Sequence, residues 1–444
     1  MLRAMAGQGY ITRRGARRVM ATRLGVSASR YYTQRRERYF FDYVKAELIR
    51  RYGLDTVRQG GLRVYTTIDL ALQNLARRAI ACRLPYANDP SAALVSIDPR
   101  NGHIVAMASS EKYSHSTFNL AAQGRRQPGS TFKLMVLMTA LRRGVNPRTT
   151  YYNSRPLKFI DPTWGPIDVQ TDDKRYYGRE SLFAALVRSD NTVYQQLDLD
   201  LGPEAVCQTV YDMGITSRLD AYPAEGIGGL RTGVSPLEMA RAYTTLNTGG
   251  VRMRPVSITK VVFPDGRVDR SMAKPHRRKE FTDGQTYEAI KAMEANVQRG
   301  TGTAAQIGCP AAGKTGTTSN FTDAWFDGFT TGLNTVVWVG YPDSTTSMYA
   351  VPGYGEMFGG TAPALIWHDF MIVAGRQNGR CQPFPRPTEP FVSQSSSGRY
   401  QQQATPAGSN PSPPGATSTP NSPAPTAAPP DAAGRGGAAA LPPG

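Results

Sequence analysis

Hydrophobic and polar residues alternate in several short stretches near both ends of the chain. Residues 92–98 and 103–108 are two such stretches, and the Asn101-Gly102 pair between them favours a tight turn, so they predict a β-hairpin. Residues 62–68 alternate in the same way and predict another strand. Further strand-like runs, separated by turn residues, are predicted late in the chain at 313–318, 324–329 and 335–341.

Between the two groups of strands, apolar residues recur at the spacing of helices. The main predicted helices of this middle region are 130–143, 181–201 and 236–248. Earlier helices are predicted within 1–25, over 41–52 and over 69–80. Early strands, a helical middle and late strands indicate an α/β protein with one sheet drawn from both ends of the chain.

The composition changes near the end of the chain. The sequence has 444 residues, and from about Ser393 onward it consists mainly of Ser, Gln, Pro, Ala and Gly. Such a segment lacks the apolar residues of a core, so we predict that residues 386–444 are a disordered tail. The remainder is long enough to bury a sizeable core and divides into three predicted parts, residues 1–60, 61–90 and 91–385.

A formal net charge of +18 raises the question of a nucleic-acid partner. Much of the excess is local, with arginines clustered between Arg13 and Arg38 and a second basic stretch from Lys274 to Lys279. No phosphate loop, zinc-finger spacing or RNA-binding signature accompanies them, so no nucleic-acid partner is predicted. A basic surface facing anionic lipid or wall polymer, and an ordinary solvated face, both remain open.

The cysteines and histidines are too dispersed for familiar metal or triad patterns. None of the four cysteines forms a Cys-x-x-Cys pair, and the four histidines stand apart from them and from each other. We therefore predict no metal site, no cofactor and no Ser-His-Asp triad. A disulfide would require an oxidising compartment, and its pairing stays open. The sequence has no stretch of membrane-spanning length and does not open with a signal peptide.

The candidate chemistry begins with a Ser-x-x-Lys pattern that occurs four times. The matches at Ser109, Ser257 and Ser271 fall in a polar turn, an alternating strand and a basic stretch. Only Ser130 opens an apolar helix, and Lys133 follows on the same helix face, about 4.5 Å along the axis. An amine beside a hydroxyl favours nucleophilic catalysis, whereas the structural alternative is a helix cap with a lysine that reaches solvent.

A second motif, Ser189-Asp190-Asn191, occurs once in the chain. Ser189 can relay a proton, and the Asn191 amide can orient a substrate carbonyl by donating from its nitrogen. The same three residue types are equally typical of a turn that starts a helix.

A third motif, Lys314-Thr315-Gly316, also occurs once and lies on a predicted strand. Gly316 leaves the strand edge open to a ligand, and Thr315 and Thr317 offer hydroxyls to a carboxylate. An ordinary strand with a turn glycine is the structural alternative.

A second ammonium near Lys133 would lower the pKa of Lys133 by like-charge repulsion, as would burial and the positive end of its helix. A neutral Lys133 could then act as a base. The backbone N–H groups of Ser130 and Thr317 are the predicted donors to an oxyanion.

The three motifs together resemble the signature of penicillin-binding proteins and class A β-lactamases. Other segments are similar to the transpeptidase domain and linker of bifunctional, class A penicillin-binding proteins, namely 61–69, 228–243, 300–304 and 337–341. The resemblance covers roughly residues 1–375. It implies a penicillin-binding, serine β-lactamase-like fold of α+β type, with an antiparallel five-stranded sheet flanked by helices and an all-helical subdomain.

The resemblance also implies a peptidoglycan D,D-transpeptidase at the outer face of the cytoplasmic membrane. Ser130 would attack the penultimate D-alanine of a stem peptide, Lys133 would take its proton and Ser189 would pass one to the leaving amine. Lys314, with Thr315 and Thr317, would hold the terminal carboxylate. β-Lactams would acylate the same serine, and the cell-wall synthesis machinery is an expected partner.

Proteins of this family also carry a membrane anchor and a glycosyltransferase domain, of which residues 1–25 resemble only the last helices. We therefore expect no glycosyltransferase activity and no membrane contact except through an anchor outside this sequence. Three other readings stay open. They are a D,D-carboxypeptidase or β-lactamase, against which the position of Glu238 weighs, a penicillin or wall-peptide sensor, and a truncated remnant that binds polyanions.

Overall fold

The predicted central sheet is present in the computed structural model, which describes residues 1–22 and 36–401. Residues 23–35 and 402–444 lie outside the described part and include some arginines of the predicted basic cluster, the end of the first predicted helix and most of the predicted tail. The described strands are β1 (Arg63–Thr66), β2 (Ser91–Ile97), β3 (Ile104–Ser109), β4 (Tyr151–Ser154), β5 (Leu157–Asp161), β6 (Gly165–Val169), β7 (Gly178–Ser181), β8 (Val251–Met253), β9 (Ile258–Val262), β10 (Val268–Asp269), β11 (Arg277–Lys279), β12 (Ala312–Thr317), β13 (Asp323–Thr330) and β14 (Leu333–Gly340).

The α-helices of the described part include the three predicted for the middle of the chain, one of them divided in two. They are α1 (Leu2–Gly7), α2 (Arg13–Ala21), α3 (Arg38–Tyr52), α4 (Leu54–Gln59), α5 (Leu70–Arg83), α6 (Leu120–Gln123), α7 (Lys133–Arg142), α8 (Leu182–Arg188), α9 (Asn191–Leu201), α10 (Pro203–Met213), α11 (Pro223–Gly226), α12 (Pro236–Asn247), α13 (Asp283–Arg299) and α14 (Ala362–Ala374).

Five strands form an antiparallel sheet in the order β12-β13-β14-β2-β3. The predicted hairpin of residues 92–98 and 103–108 supplies β2 and β3, and the three late predicted strands supply the rest. The prediction of one antiparallel sheet built from both ends of the chain is confirmed. The Lys-Thr-Gly motif lies on β12, an edge strand of this sheet.

Helices cover both faces of the sheet. Helices α5 and α14 pack on one face, where Leu94, Phe326 and Trp367 are buried together. Helix α12 packs on the other face, which buries Trp325 and Phe329. β13 and β14 are therefore buried on both sides, which explains the apolar runs Ala324–Phe326 and Val336–Val339 within them.

The strand predicted at 62–68, in the predicted linker 61–90, forms as β1 and pairs with β9 in a separate three-stranded sheet. One helix prediction needs correction. The single helix predicted over 181–201 is broken between α8 and α9, because Ser189 adopts a left-handed conformation with φ of 66°. The apolar periodicity continues across this break, so periodicity could not reveal it.

Residues 386–401, which fall within the predicted disordered tail, are ordered and pack against the domain. The Asp283 carboxylate accepts hydrogen bonds from the backbone N–H groups of Thr388 and Glu389. Tyr400 is buried, and its hydroxyl donates to Asp161 Oδ2 at 2.5 Å. A few separate anchors hold this segment without the regular apolar spacing that a sequence pattern detects.

The cysteine pairing, which the sequence left open, joins two distant segments. Cys309, just before β12, forms a disulfide with Cys381, which follows α14, at a Cα–Cα distance of 5.4 Å. Cys82 and Cys207 are free thiols. The disulfide therefore links the loop before β12 to the segment that follows α14.

Candidate active site

Ser130 lies in a 3-10 turn, Gly129–Phe132, that leads directly into α7. The turn presses against two other backbones. A Cβ on Gly129 would lie 2.4 Å from the Thr317 carbonyl oxygen of β12, and a Cβ on Gly228 would lie 2.0 Å from the Gly129 carbonyl oxygen. Both glycines also have positive φ, so no other residue fits there without displacement. The close approach fixes Ser130 against the Lys-Thr-Gly strand.

Lys133 is fully buried and its amine contacts both of the first two motifs. Lys133 Nζ lies 2.7 Å from Ser130 Oγ, 2.6 Å from the Ser189 carbonyl oxygen and 2.5 Å from Asn191 Oδ1. A neutral amine has two N–H groups and one lone pair. The carbonyl and amide oxygens can only accept, so they engage the two N–H groups and leave the lone pair facing the Ser130 hydroxyl. The predicted pairing of hydroxyl and amine is present in the structure.

Burial lowers the pKa of Lys133 to about 8, against the opposing charges of Asp172 and Asp190. The expected like-charge repulsion appears on the other amine. The pKa of Lys314 is lowered well below its usual value, first by burial and then by the charge of Lys133. The two buried amines therefore compete for charge within one site.

The second motif is split between structural and site-facing residues. Asp190 caps α9, since its Oδ1 accepts from the N–H groups of Thr192 and Val193, at 2.8 and 2.9 Å. Ser189, in the left-handed turn between α8 and α9, places its Oγ 3.2 Å from Lys133 Nζ. The helix-start interpretation therefore holds for Asp190, while Ser189 and Asn191 contact the amine.

The Asn191 amide nitrogen faces a loop that the sequence did not single out. Asn191 Nδ2 donates to the Gln170 carbonyl oxygen at 2.9 Å and to Asp172 Oδ1 at 3.1 Å. A substrate carbonyl, the predicted partner of this amide, would have to compete with both acceptors. Asp172 and the neighbouring Asp173 carry no recognisable motif, and only their adjacency in a polar loop could have drawn attention to them.

The third motif brings its lysine to the Ser189 hydroxyl, which also contacts Lys133. Lys314 is fully buried, and its Nζ donates to Ser189 Oγ at 2.9 Å and to the Thr315 carbonyl oxygen at 3.0 Å. The glycine of the motif has a different physical basis from the predicted one. A Cβ on Gly316 would lie 2.4 Å from the Pro128 carbonyl oxygen, so the serine turn, and not a ligand, requires a glycine there.

A cleft of about 350 Å³ opens over these groups. Ser130, Ser189, Thr315 and Thr317 line it, and so do charged residues that the sequence analysis missed, which are Asp172, Asp173, Arg175, Arg188 and Glu356. The structure thus brings all three motifs together at one cleft. Lys133 and Lys314 lie beneath its floor, where the charge of either amine is poorly screened.

The three other Ser-x-x-Lys matches do not form comparable pairs. Ser109 ends β3, and Lys112 is exposed. Lys260 lies on β9 with its amine 3.6 Å from the centre of the Tyr65 ring, and Lys274 is exposed. Of the four lysines, only Lys133 is fully buried with its amine beside the serine of its own motif.

Residues 1–22 and 36–401 contain no group of three His, Cys, Asp or Glu side chains that could hold a metal ion. In the same ranges, no helix combines the length and the apolar character that crossing a membrane requires.

Comparison with known proteins gives the family. A family model described as the penicillin binding protein transpeptidase domain matches residues 92–354. Penicillin-binding protein 2D of Bacillus subtilis (strain 168) is 28% identical over 387 residues, which cover 84% of this chain and 54% of that protein. Penicillin-binding protein 1B of Escherichia coli (strain K12) is 31% identical over 333 residues, covering 71% of this chain and 38% of that protein. The chain thus spans about half or less of these relatives.

A solved structure of the PonA1 protein from Mycobacterium tuberculosis in complex with penicillin V is also similar. It superposes with a TM-score of 0.70 at 29% sequence identity, covering 80% of this chain and 97% of that chain. The fold expected from the sequence, a five-stranded antiparallel sheet with flanking helices, is the one these neighbours share. With the family match extending over more than half of its length, the chain belongs to the penicillin-binding protein transpeptidase domain family.

Proposed function

We propose that this protein is a serine D,D-transpeptidase that cross-links peptidoglycan stem peptides through an acyl-enzyme on Ser130. The observation that carries the proposal is the amine of Lys133, 2.7 Å from Ser130 Oγ, with acceptor oxygens engaging its other hydrogens. This geometry and a pKa of about 8 suit a general base near neutral pH.

In the first step, Ser130 Oγ attacks the carbonyl carbon of the penultimate D-alanine and its proton passes to Lys133. The backbone N–H groups of Ser130 and Thr317 are suited to stabilise the oxyanion, since the Gly129 and Thr317 backbones approach closely. Ser189, which contacts both lysines, passes a proton to the departing amine. The C–N bond breaks and the terminal D-alanine leaves.

The terminal carboxylate of the donor is held by Lys314 together with Thr315 and Thr317, whose hydroxyl groups line the cleft. A cationic amine in a buried setting binds a carboxylate more strongly than one in bulk water. The carboxylate of a β-lactam would use the same groups, which agrees with the penicillin V complex of the similar PonA1 protein.

In the second step, the amine of a neighbouring stem peptide attacks the acyl-enzyme and forms the cross-link. A β-lactamase would need a base for water, and Glu238 does not suit that role. Its Oε1 accepts from the N–H groups of Thr216 and Ser217, and its Oε2 from Ser235 N. Burial raises the pKa of Glu238, but hydrogen bonds outweigh it and bring the pKa to about 2.

The proposal places the protein outside the cytoplasm, where peptidoglycan and β-lactams are found, with the cell-wall synthesis machinery as a partner. It assigns no glycosyltransferase activity to these residues. The four-cysteine chain with one disulfide suits an oxidising compartment.

A fluorescent penicillin tests the acyl-enzyme directly. Wild-type protein should take up one covalent label, Ser130→Ala should take up none, and Ser271→Ala, from a second Ser-x-x-Lys match, should label normally. Acyl transfer from a stem peptide to an added acceptor amine then tests cross-linking. Absence of label on the wild type would refute the proposal. Rapid hydrolytic loss of label would indicate a β-lactamase, and stable label without any turnover of a stem peptide would indicate a sensor.

A further inference from the structure

Asp327 is a fully buried carboxyl group in the middle of β13. It lies between Trp325 and Phe329 on the sheet face that packs against α12. Among the residues that the structure describes, neither carboxylate oxygen of Asp327 has a hydrogen-bond partner. Burying a carboxyl group without partners destabilises a fold, so packing gives no reason for an acid at this position.

The cross-strand partner of Asp327 is Lys314. Residues directly opposed in an antiparallel pair point to the same face, with Cβ atoms about 5 Å apart. The charge of Asp327 acts to raise the pKa of Lys314, against the larger effects of burial and Lys133, while burial raises the pKa of Asp327 itself. Asp327 is therefore coupled to the amine of the third motif from below the floor of the cleft.

The two lysines need opposite charge states for their proposed roles. Lys133 must be neutral to accept a proton, and Lys314 must be cationic to bind a carboxylate. Yet they are bridged by one atom, since Ser189 Oγ lies 3.2 Å from Lys133 Nζ and 2.9 Å from Lys314 Nζ. Something must decide which amine holds the positive charge.

The other charged and titratable groups around the pair do not favour Lys314 over Lys133. Asp172 acts on both amines, and Asp190 acts on Lys133. Tyr243, which approaches Asp327 from α12, donates its hydroxyl to the Thr131 carbonyl oxygen. Asp327 is the one carboxyl group that acts on Lys314 and is not among those acting on Lys133 in the described residues.

We infer that Asp327 is a positioning residue that keeps the positive charge of the site on Lys314 and thereby leaves Lys133 free to act as the base. This inference rests on the proposed function. Asp327 touches no substrate and acts only through Lys314. Asp327 and Lys314 are both fully buried, so little solvent screens the carboxylate from the amine, and the charge of Lys314 in turn acts to lower the pKa of Asp327.

The test compares wild type with Asp327→Asn, which keeps the shape, and Asp327→Val, which suits an apolar core. The measured quantity is the second-order rate constant of acylation against pH, for a penicillin and for its methyl ester. Penicillin acylation should slow at high pH, where Lys314 loses its proton, and this fall in rate is the alkaline limb of the pH profile. Loss of the Asp327 charge should move the alkaline limb down by about one to three pH units. Above that limb the rate should fall about tenfold or more. Above that limb Lys133 is neutral in the variants as well, and the ester has no carboxylate for Lys314 to bind, so the ester rate there should change little.

The melting temperature separates a positioning role from a structural role, because loss of a structurally important Asp327 would lower the melting temperature. Asp327→Val should raise the melting temperature, because it removes a buried carboxyl group without partners, while penicillin acylation falls. Asp198→Asn is the matched control, since both oxygens of Asp198 are also buried without partners. Asp198 lies on α9 near Glu225, so its substitution should leave the pH profile unchanged.

An unchanged alkaline limb in both variants would overturn the inference, and so would equal losses with penicillin and ester. Failure of both variants to fold would overturn it as well, because the carboxyl group would then be required for stability. These outcomes can be interpreted only if the wild-type protein takes up the covalent penicillin label. An unlabelled wild type refutes the proposed function itself and removes the inference with it, so the two failures are distinguishable.

Discussion

Replacing Asp172 by Asn tests whether an exposed carboxylate outside the three motifs sets the working pH of the site. Asp172 Oδ1 accepts from Asn191 Nδ2 at 3.1 Å, and Asn191 Oδ1 accepts from Lys133 Nζ at 2.5 Å. An Asn at this position keeps an oxygen that can accept from Asn191. The substitution therefore removes a negative charge while leaving the contact in place.

The size of the effect follows from the position of the charge. The carboxylate lies one amide group beyond the amine, at about 7 Å, where a unit charge is worth ~0.6 kcal/mol in water and ~2.4 kcal/mol at an effective dielectric constant of 20. Asp172 is exposed, so solvent and salt screening favour the lower half of this range. We expect a shift of about 0.5–1 pH unit.

The Asp172→Asn substitution should lower the pKa of Lys133. A negative charge stabilises the ammonium form, so its removal lowers the pKa of Lys133 below the wild-type value of about 8. More Lys133 is then neutral at a given pH, and the acid limb of penicillin acylation moves to lower pH. Because Asp172 also acts on Lys314, the alkaline limb should move in the same direction.

The assay is fluorescent penicillin labelling between pH 6 and 10, at low ionic strength and again at high ionic strength. Asp173→Asn is the matched control, because Asp173 lines the same cleft but accepts from the Arg175 N–H and does not contact Asn191. It should leave the acid limb in place. An acid limb that stays fixed in Asp172→Asn, or that moves equally in both variants, would refute the reasoning.

Three further predictions concern the supports of the site. Asp190→Ala removes the cap of α9 and should cost ~1–2 kcal/mol of unfolding free energy in a urea titration, together with slower labelling. Gly228→Ala directs a Cβ against the Gly129 carbonyl oxygen and should cost ~3 kcal/mol and disturb the serine turn, seen as a lower melting temperature and weak labelling. Tyr400→Phe loses the hydrogen bond to Asp161 and should cost ~1 kcal/mol by urea titration with an unchanged labelling rate.

The sequence predicted the elements whose signals are local. The Asn101-Gly102 turn, the strand runs and the apolar helix after Ser130 are each visible within a few residues, and the structure contains all of them. Ser-x-x-Lys alone was ambiguous, but the helix that follows Ser130 distinguished it from the other matches. The two unique motifs then identified the other two sides of the cleft.

The features that escaped prediction depend on contacts between distant residues. The pairing of β1 with β9 joins segments almost 200 residues apart in the chain, and no pattern within either segment reveals it. Asp327 was visible in principle, since it interrupts an apolar strand that is buried on both sides. Its partner, Lys314, could be recognised only once the register of β12 and β13 was known.

Substitutions of Asp172 and Asp327 should have different effects on the pH profile of acylation, which has an acid limb set by Lys133 and an alkaline limb set by Lys314. Lys133 and Lys314 share Ser189 Oγ, so their protons are coupled and each limb belongs to the pair. Removing Asp172, which acts on both amines, should lower both limbs and keep their separation. Removing Asp327, which acts on Lys314, should bring the alkaline limb closer to the acid limb. The separation of the limbs, rather than either position, therefore reports how firmly the positive charge is held on Lys314.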